Sequence, residues 1–136
     1  MERGLLSDPV RLLGRIITNM RTALVVDDNQ ELATLIATML RVKGFEVRTA
    51  NNGLHGYSSY FRDPTDIVIT DIQMPELDGV EMMRCIRGVN PKVKAVYMSG
   101  ATQKYQAELT REKTEFSARV LDKPFSGAAL LHQIEM

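Results

Sequence analysis

One cysteine, Cys85, occurs in 136 residues. No internal disulfide and no cysteine-based metal cluster can therefore form. A reducing cytoplasm suits this usage, and Cys85 reads as a small residue on a helix face. Charge of one sign is also missing, since Lys plus Arg and Asp plus Glu each number 17. Without a net charge or a long run of either sign, neither nucleic acid nor acidic lipid stands out as the principal partner. No apolar stretch approaches the length of a membrane span. No secretory signal is expected, since Asp8, Pro9, Arg11 and Arg15 interrupt any apolar region near the start. No glycine-rich phosphate loop follows the first apolar run, which argues against a flavin or dinucleotide binder. Apolar and charged fractions of 44% and 25% are ordinary for a soluble domain. The length fits one domain able to bury a core without staples.

Residues 1–20 form an extension with its own pattern. Ser7 or Asp8 is placed to cap a helix whose first turn holds Pro9. At about 100° per residue, Val10, Leu12, Leu13, Ile16, Ile17 and Met20 share one side of the wheel. Arg11, Gly14, Arg15 and Thr18 take the other. The reading is an amphipathic extension or linker over 1–20, followed by a domain over 21–136. Its apolar side would pack on that domain, on a second copy in a homodimer, or on another protein.

From Arg21 onward, strand-like and helical patterns alternate five times. Leu32, Leu35, Ile36, Met39 and Leu40 lie on one helical face, with Gly44 as the stop. Phe45 to Thr49 alternates apolar and polar residues, as an edge strand does. Asn51 to Phe61 reads as a weaker helix because of Gly53 and Gly56, and Asp63-Pro64 breaks it. Val80, Met83 and Ile86 or Arg87 mark a third helix ending near Gly88 to Pro91. The fourth, around Gln103 to Glu115, is mostly charged and reads as the least firmly packed. Ser126 is a good cap for a last helix carrying Leu130, Leu131 and Ile134. Such alternation predicts an α/β fold with a parallel sheet covered on both faces.

The chemistry gathers where the apolar runs end. Leu24-Val25-Val26 leads into Asp27-Asp28, and Ile67-Val68-Ile69-Thr70 into Asp71. Ala95-Val96-Tyr97-Met98 leads into Ser99-Gly100, and Val120-Leu121-Asp122 into Lys123-Pro124. Each motif alone reads as ordinary cap or turn chemistry. Together they place three carboxylates, a hydroxyl and an ammonium at the carboxyl ends of parallel strands, where such sheets bind ligands. Three converging carboxylates repel, and a hard divalent cation relieves that repulsion. His55 and His132 read as surface residues without a site role.

In this order the motifs resemble the receiver domain of two-component response regulators, of the single-domain chemotaxis type. The likeness runs from about Arg21 to Met136. It implies a doubly wound (βα)5 flavodoxin-like sandwich with strand order 2-1-3-4-5. It also implies that Asp71 accepts a phosphoryl group from a sensor histidine kinase or a histidine phosphotransfer domain. By the same resemblance, Asp28, Asp71 and the backbone carbonyl of Gln73 would bind Mg2+ (or Mn2+), with Asp27 acting through a water. Lys123 and Ser99 would assist the transfer, and the Lys123-Pro124 bond would be cis. The chain stops after its fifth helix, so output is expected through contact with a downstream protein and not through direct DNA binding. A receiver cut from a hybrid sensor kinase fits the pattern equally well. A degenerate receiver, acting as a phosphorylation-independent binding module, is opposed by the intact site residues. A haloacid dehalogenase-type phosphatase would need an Asp where Gln73 stands.

Two positions depart from the family pattern. Val120, three residues before Lys123, replaces the aromatic whose ring often reports the phosphorylated state, and this predicts a muted change at the fourth helix and fifth strand. Gln73 and Ala101 supply no carboxylate beside the phosphoaspartate, which predicts no strong built-in acceleration of its hydrolysis.

Overall fold

The computed structural model describes residues 9, 10, 13, 20–100 and 103–135. Five strands form one parallel sheet: β1 (Thr22–Val26), β2 (Glu46–Ala50), β3 (Ile67–Asp71), β4 (Lys94–Ser99) and β5 (Arg119–Asp122). Their order is β2-β1-β3-β4-β5, as the resemblance implies. Between and after them lie α1 (Gln30–Val42), α2 (Gly53–Arg62), α3 (Gly79–Val89), α4 (Gln106–Phe116) and α5 (Gly127–Glu135). Of the expected amphipathic extension, only Pro9, Val10, Leu13 and Met20 fall within the described residues, and all four are exposed.

Alternation along the central strands builds two cores. Ala23, Val25, Ile67, Ile69, Val96 and Met98 face α1 and α5, meeting Ile36, Ala37, Leu40, Leu130 and Ile134. Leu24, Val26, Val68, Ala95 and Tyr97 face the opposite side, against Tyr60, Met82, Met83, Ile86 and Leu109. Burial on both faces is why β1 and β3 read as unbroken apolar runs. Glu46–Ala50 is an edge strand, and its half-buried Arg48 reaches Asp63 at 3.2 Å.

Helix ends follow local chemistry. Asn29, one residue beyond the acidic pair, caps α1 by accepting from Leu32 N at 3.2 Å. Asp78 and Ser126 cap α3 and α5 in the same manner. Gly44 ends α1 at a φ of 93°, a left-handed conformation that favours glycine.

The fourth helix is lightly packed, as expected, with Leu109 and Glu112 its buried residues. Its Glu112 is buried and pairs with buried Arg87 of α3 at 3.0 Å. The same guanidinium lies 4.5 Å from the centroid of the Phe116 ring. A charged sequence therefore hides an internal tie between two helices.

Two close approaches pin the loop after β3. A Cβ on Gly79 would stand 2.1 Å from the carbonyl oxygen of Asp71, and one on Gly53 would stand 2.0 Å from that of Leu77. The Gly79 N–H also donates to the Ile72 carbonyl at 2.7 Å. Gly79→Ala must push this loop away from Asp71, at a cost of about 1–3 kcal/mol. The urea midpoint should fall accordingly; an unchanged midpoint would show that the approach is not enforced.

Candidate functional site

Three strand ends deliver the acidic cluster. Asp27 follows β1 and is 1% exposed. Its backbone N–H donates to the Ala50 carbonyl of β2 at 3.1 Å. Its Oδ1 accepts from Asn29 N at 2.9 Å, so the turn into α1 orients the carboxyl group. Asp28 is exposed beside it, and Asp71 closes β3 half-buried. One carboxylate oxygen from each of the three lies within 4.8 Å of the others.

Lys123 enters from the end of β5. Its Nζ stands 3.3 Å from Asp71 Oδ1 and 3.6 Å from Asp27 Oδ2. The Lys123 N–H donates to the Ser99 carbonyl at 2.8 Å, which binds the end of β5 to the end of β4. The peptide bond to Pro124 is cis. Ser99 is buried at the end of β4, one residue beyond Met98, which pairs with Asp71 across the sheet. The structure thus brings Asp27, Asp28, Asp71 and Lys123 into one cluster, with Ser99 on the adjoining strand end. Gln73 is exposed two residues past Asp71, in the loop that Gly79 holds down. Ala101 lies outside the described residues.

One ammonium faces three carboxylates. Burial raises the Asp27 carboxyl above its ordinary range, and the nearby Asp71 and Asp28 charges add to that rise. The Asn29 N–H and Lys123 act against it. Asp71 is raised as well, again chiefly by burial, with Lys123 opposing. Asp27 Oδ2 is fully buried and accepts no hydrogen bond. A buried anionic oxygen without a hydrogen bond, among further carboxylate oxygens, suits a hard cation that takes oxygen ligands. The donor set fits Mg2+.

Sequence reasoning did not anticipate Asn29 as the residue that orients Asp27. The signal was present, because an Asn directly after the acidic pair and before Gln30-Glu31-Leu32 is a helix-start pattern. Val120 is half-buried and lies in register opposite Tyr97.

Residues 23–135 match the family model for the response regulator receiver domain, and the chain belongs to that family. It is 32% identical over 117 residues to the chemotaxis protein CheY of Listeria monocytogenes, covering 85% of this chain and 97% of that protein. It is 28% identical over 118 residues to the response regulator receiver protein CpdR of Brucella abortus, covering 85% and 95%. Among solved structures, the receiver domain of sensor histidine kinase PA1611 from Pseudomonas aeruginosa matches at a TM-score of 0.71 and 27% identity. That match covers 83% of this chain and 93% of the other, which carries a magnesium ion in its active-site cleft. The protein is therefore a receiver domain whose acidic pocket is consistent with a phosphoacceptor site and is typical of receivers that bind magnesium. No helix among the described residues is long and apolar enough to cross a membrane.

The raised carboxyl groups set the sign of a pH effect. A carboxylate whose folded pKa exceeds its unfolded value favours the folded state when protonated. That contribution is lost as pH rises from the ordinary value of 3.8 through the raised one. Without metal, Asp27→Asn should melt several degrees higher than the parent at neutral pH, and the gap should close on acidification toward that ordinary value. A variant that melts lower at neutral pH would contradict this account of the pocket.

Proposed function

We propose that the chain is a phosphoacceptor receiver in a two-component phosphorelay, with Asp71 taking the phosphoryl group from a phosphohistidine of a kinase or phosphotransfer protein. The observation that carries the reading is the convergence of Asp27, Asp28, Asp71 and Lys123 in a pocket with an excess of negative charge. Asp28, Asp71 and the Gln73 backbone carbonyl would hold Mg2+ directly, and Asp27 would hold it through water. The magnesium in the PA1611 receiver supports this assignment. When bound, the ion supplies charge neutralisation for the incoming phosphoryl oxygens.

An Asp71 carboxylate oxygen forms the new bond to phosphorus. The phosphorus–nitrogen bond to the donor imidazole breaks, and the imidazole leaves as a neutral ring once its nitrogen is protonated. The transition state is loose, so the chain contributes chiefly placement and charge. The Ile72 N–H donates to Asp71 Oδ1 at 2.9 Å and holds the carboxylate in orientation. Lys123 reaches Asp71 on a flexible stem and can follow negative charge from the carboxylate to a phosphoryl oxygen. The Ser99 hydroxyl would donate to another. Output then passes to a downstream protein through altered surface contacts, in keeping with a cytoplasmic signalling role. Residues 1–20 would be an extension or linker to a domain over 21–136.

Incubation with Mg2+ and a small phosphodonor, followed by intact-mass measurement, tests the reading. One acid-labile phosphoryl group should appear, and Asp71→Ala should abolish it. Lys123→Ala should slow the labelling by about a hundredfold, as loss of a charge-stabilising donor does. Turnover of the donor without a retained adduct, or labelling that survives Asp71→Ala, would overturn the assignment.

A further inference from the structure

Apolar residues occupy two sides of α1. Ala33, Ile36, Ala37 and Leu40 are buried against the sheet. Leu32, Leu35, Met39 and Val42 form a second stripe, offset around the helix from the first. Leu35 is 56% exposed and Val42 79% exposed, while Leu32 and Met39 are half-buried. A helix on the surface of a lone domain needs only the first of these sides. The second follows the alternating three- and four-residue spacing of a two-stranded helix seam, whose side chains insert between those of a facing helix.

The stripe borders a groove of about 470 Å³ between α1 and the start of α5. Leu32, Leu35 and Met39 line one wall, Pro124 and Phe125 the other, and Lys123 is the one charged residue of the lining. The stripe is also complementary to itself. Reversed about Ala37, Leu32 meets Val42 and Leu35 meets Met39, so each half-buried side chain lies opposite a projecting one. In that arrangement exposed Glu31 of one copy stands level with exposed Lys43 of the other. A parallel arrangement would instead set Glu31 beside Glu31 and Lys43 beside Lys43, which repels.

We propose that this seam joins two copies of the chain: α1 of one lies antiparallel on α1 of the other about a two-fold axis at Ala37, and each helix fills the groove beside the other's Phe125. A two-fold pairing uses the same patch on both copies and closes on itself, so it gives a dimer and not a filament. Burial of Leu35 and Val42 supplies the driving force. With 17 basic and 17 acidic residues, two copies approach without net repulsion. An interface of one helix and one groove is at the small end of the specific range, so association belongs at high micromolar concentration. Lys123 lines the groove while its ammonium reaches Asp71, which sets the second copy on the flank of the acidic pocket.

Sedimentation of the full chain from low to high micromolar concentration tests the pairing, and cross-linking in a Cys85→Ser background reads its orientation. The parent should pass from monomer to dimer as concentration rises. Leu35→Glu should stay monomeric, with its melting temperature at low concentration unchanged. Val42→Glu, at the more exposed position, should do the same and carries the test if Leu35→Glu loses stability. Thr38 is exposed next to the axis, so Thr38→Cys should oxidise to a linked pair. Val42→Cys should not, because its two copies stand about 15 Å apart along the paired helices. A parent that is monomeric throughout, a dimer that survives either glutamate substitution, or faster linkage at position 42 than at 38 overturns the proposal.

Discussion

Mutual repulsion among Asp27, Asp28 and Asp71 is the constraint around which the rest of the molecule is arranged. Two unit charges at roughly 4 Å repel by about 4 kcal/mol at an effective dielectric of about 20. Three such groups with one ammonium leave the pocket short of positive charge. The fold does not avoid this cost; it enforces it. Parallel strands bring β1 and β3 side by side, so their carboxyl ends meet. The turn at Asn29 and the loop pinned by Gly79 then prevent the carboxylates from swinging apart. A site held in that state favours whatever cation or transferring group relieves it, which is electrostatic preorganisation.

Much of this was legible in the sequence because the doubly covered strands leave a simple trace. Runs such as Ile67-Val68-Ile69 can end only at the sheet's rim, so the residue type that follows each run reports the rim's chemistry. Strand order, the Gly44 and Ser126 helix ends and the approach of Lys123 to Asp71 follow from that pattern together with the family likeness. What was hidden depends on partners distant in sequence. Glu112 and Arg87 are 25 residues apart, and on a helix rich in Glu, Lys and Arg a buried carboxylate looks like its solvated neighbours. Arg87 shared the third helix's apolar face with Ile86, and periodicity alone could not separate a buried cation from an aliphatic residue. The assignment proposed for Gln73 concerns its backbone carbonyl and came from the family likeness alone, because side-chain pattern does not encode it.

The two halves of the molecule divide the labour. The α1–α5 side is apolar, with Phe45 among its aliphatic residues, whereas the α2–α4 side contains Tyr60, Tyr97, Arg87 and Glu112. Polar groups inside a core are expensive unless matched, and on that side Arg87 meets Glu112.

The central claim is that uncompensated carboxylate charge makes this pocket a divalent-cation site. Titrating Mg2+ calorimetrically into the protein at a series of pH values, in buffers of different ionisation enthalpy, measures it most directly. The account predicts binding that tightens as pH rises through the elevated carboxyl range, with fewer protons released per ion as it does so. Affinity that is independent of pH, or the absence of any Mg2+ heat at neutral pH, would contradict it.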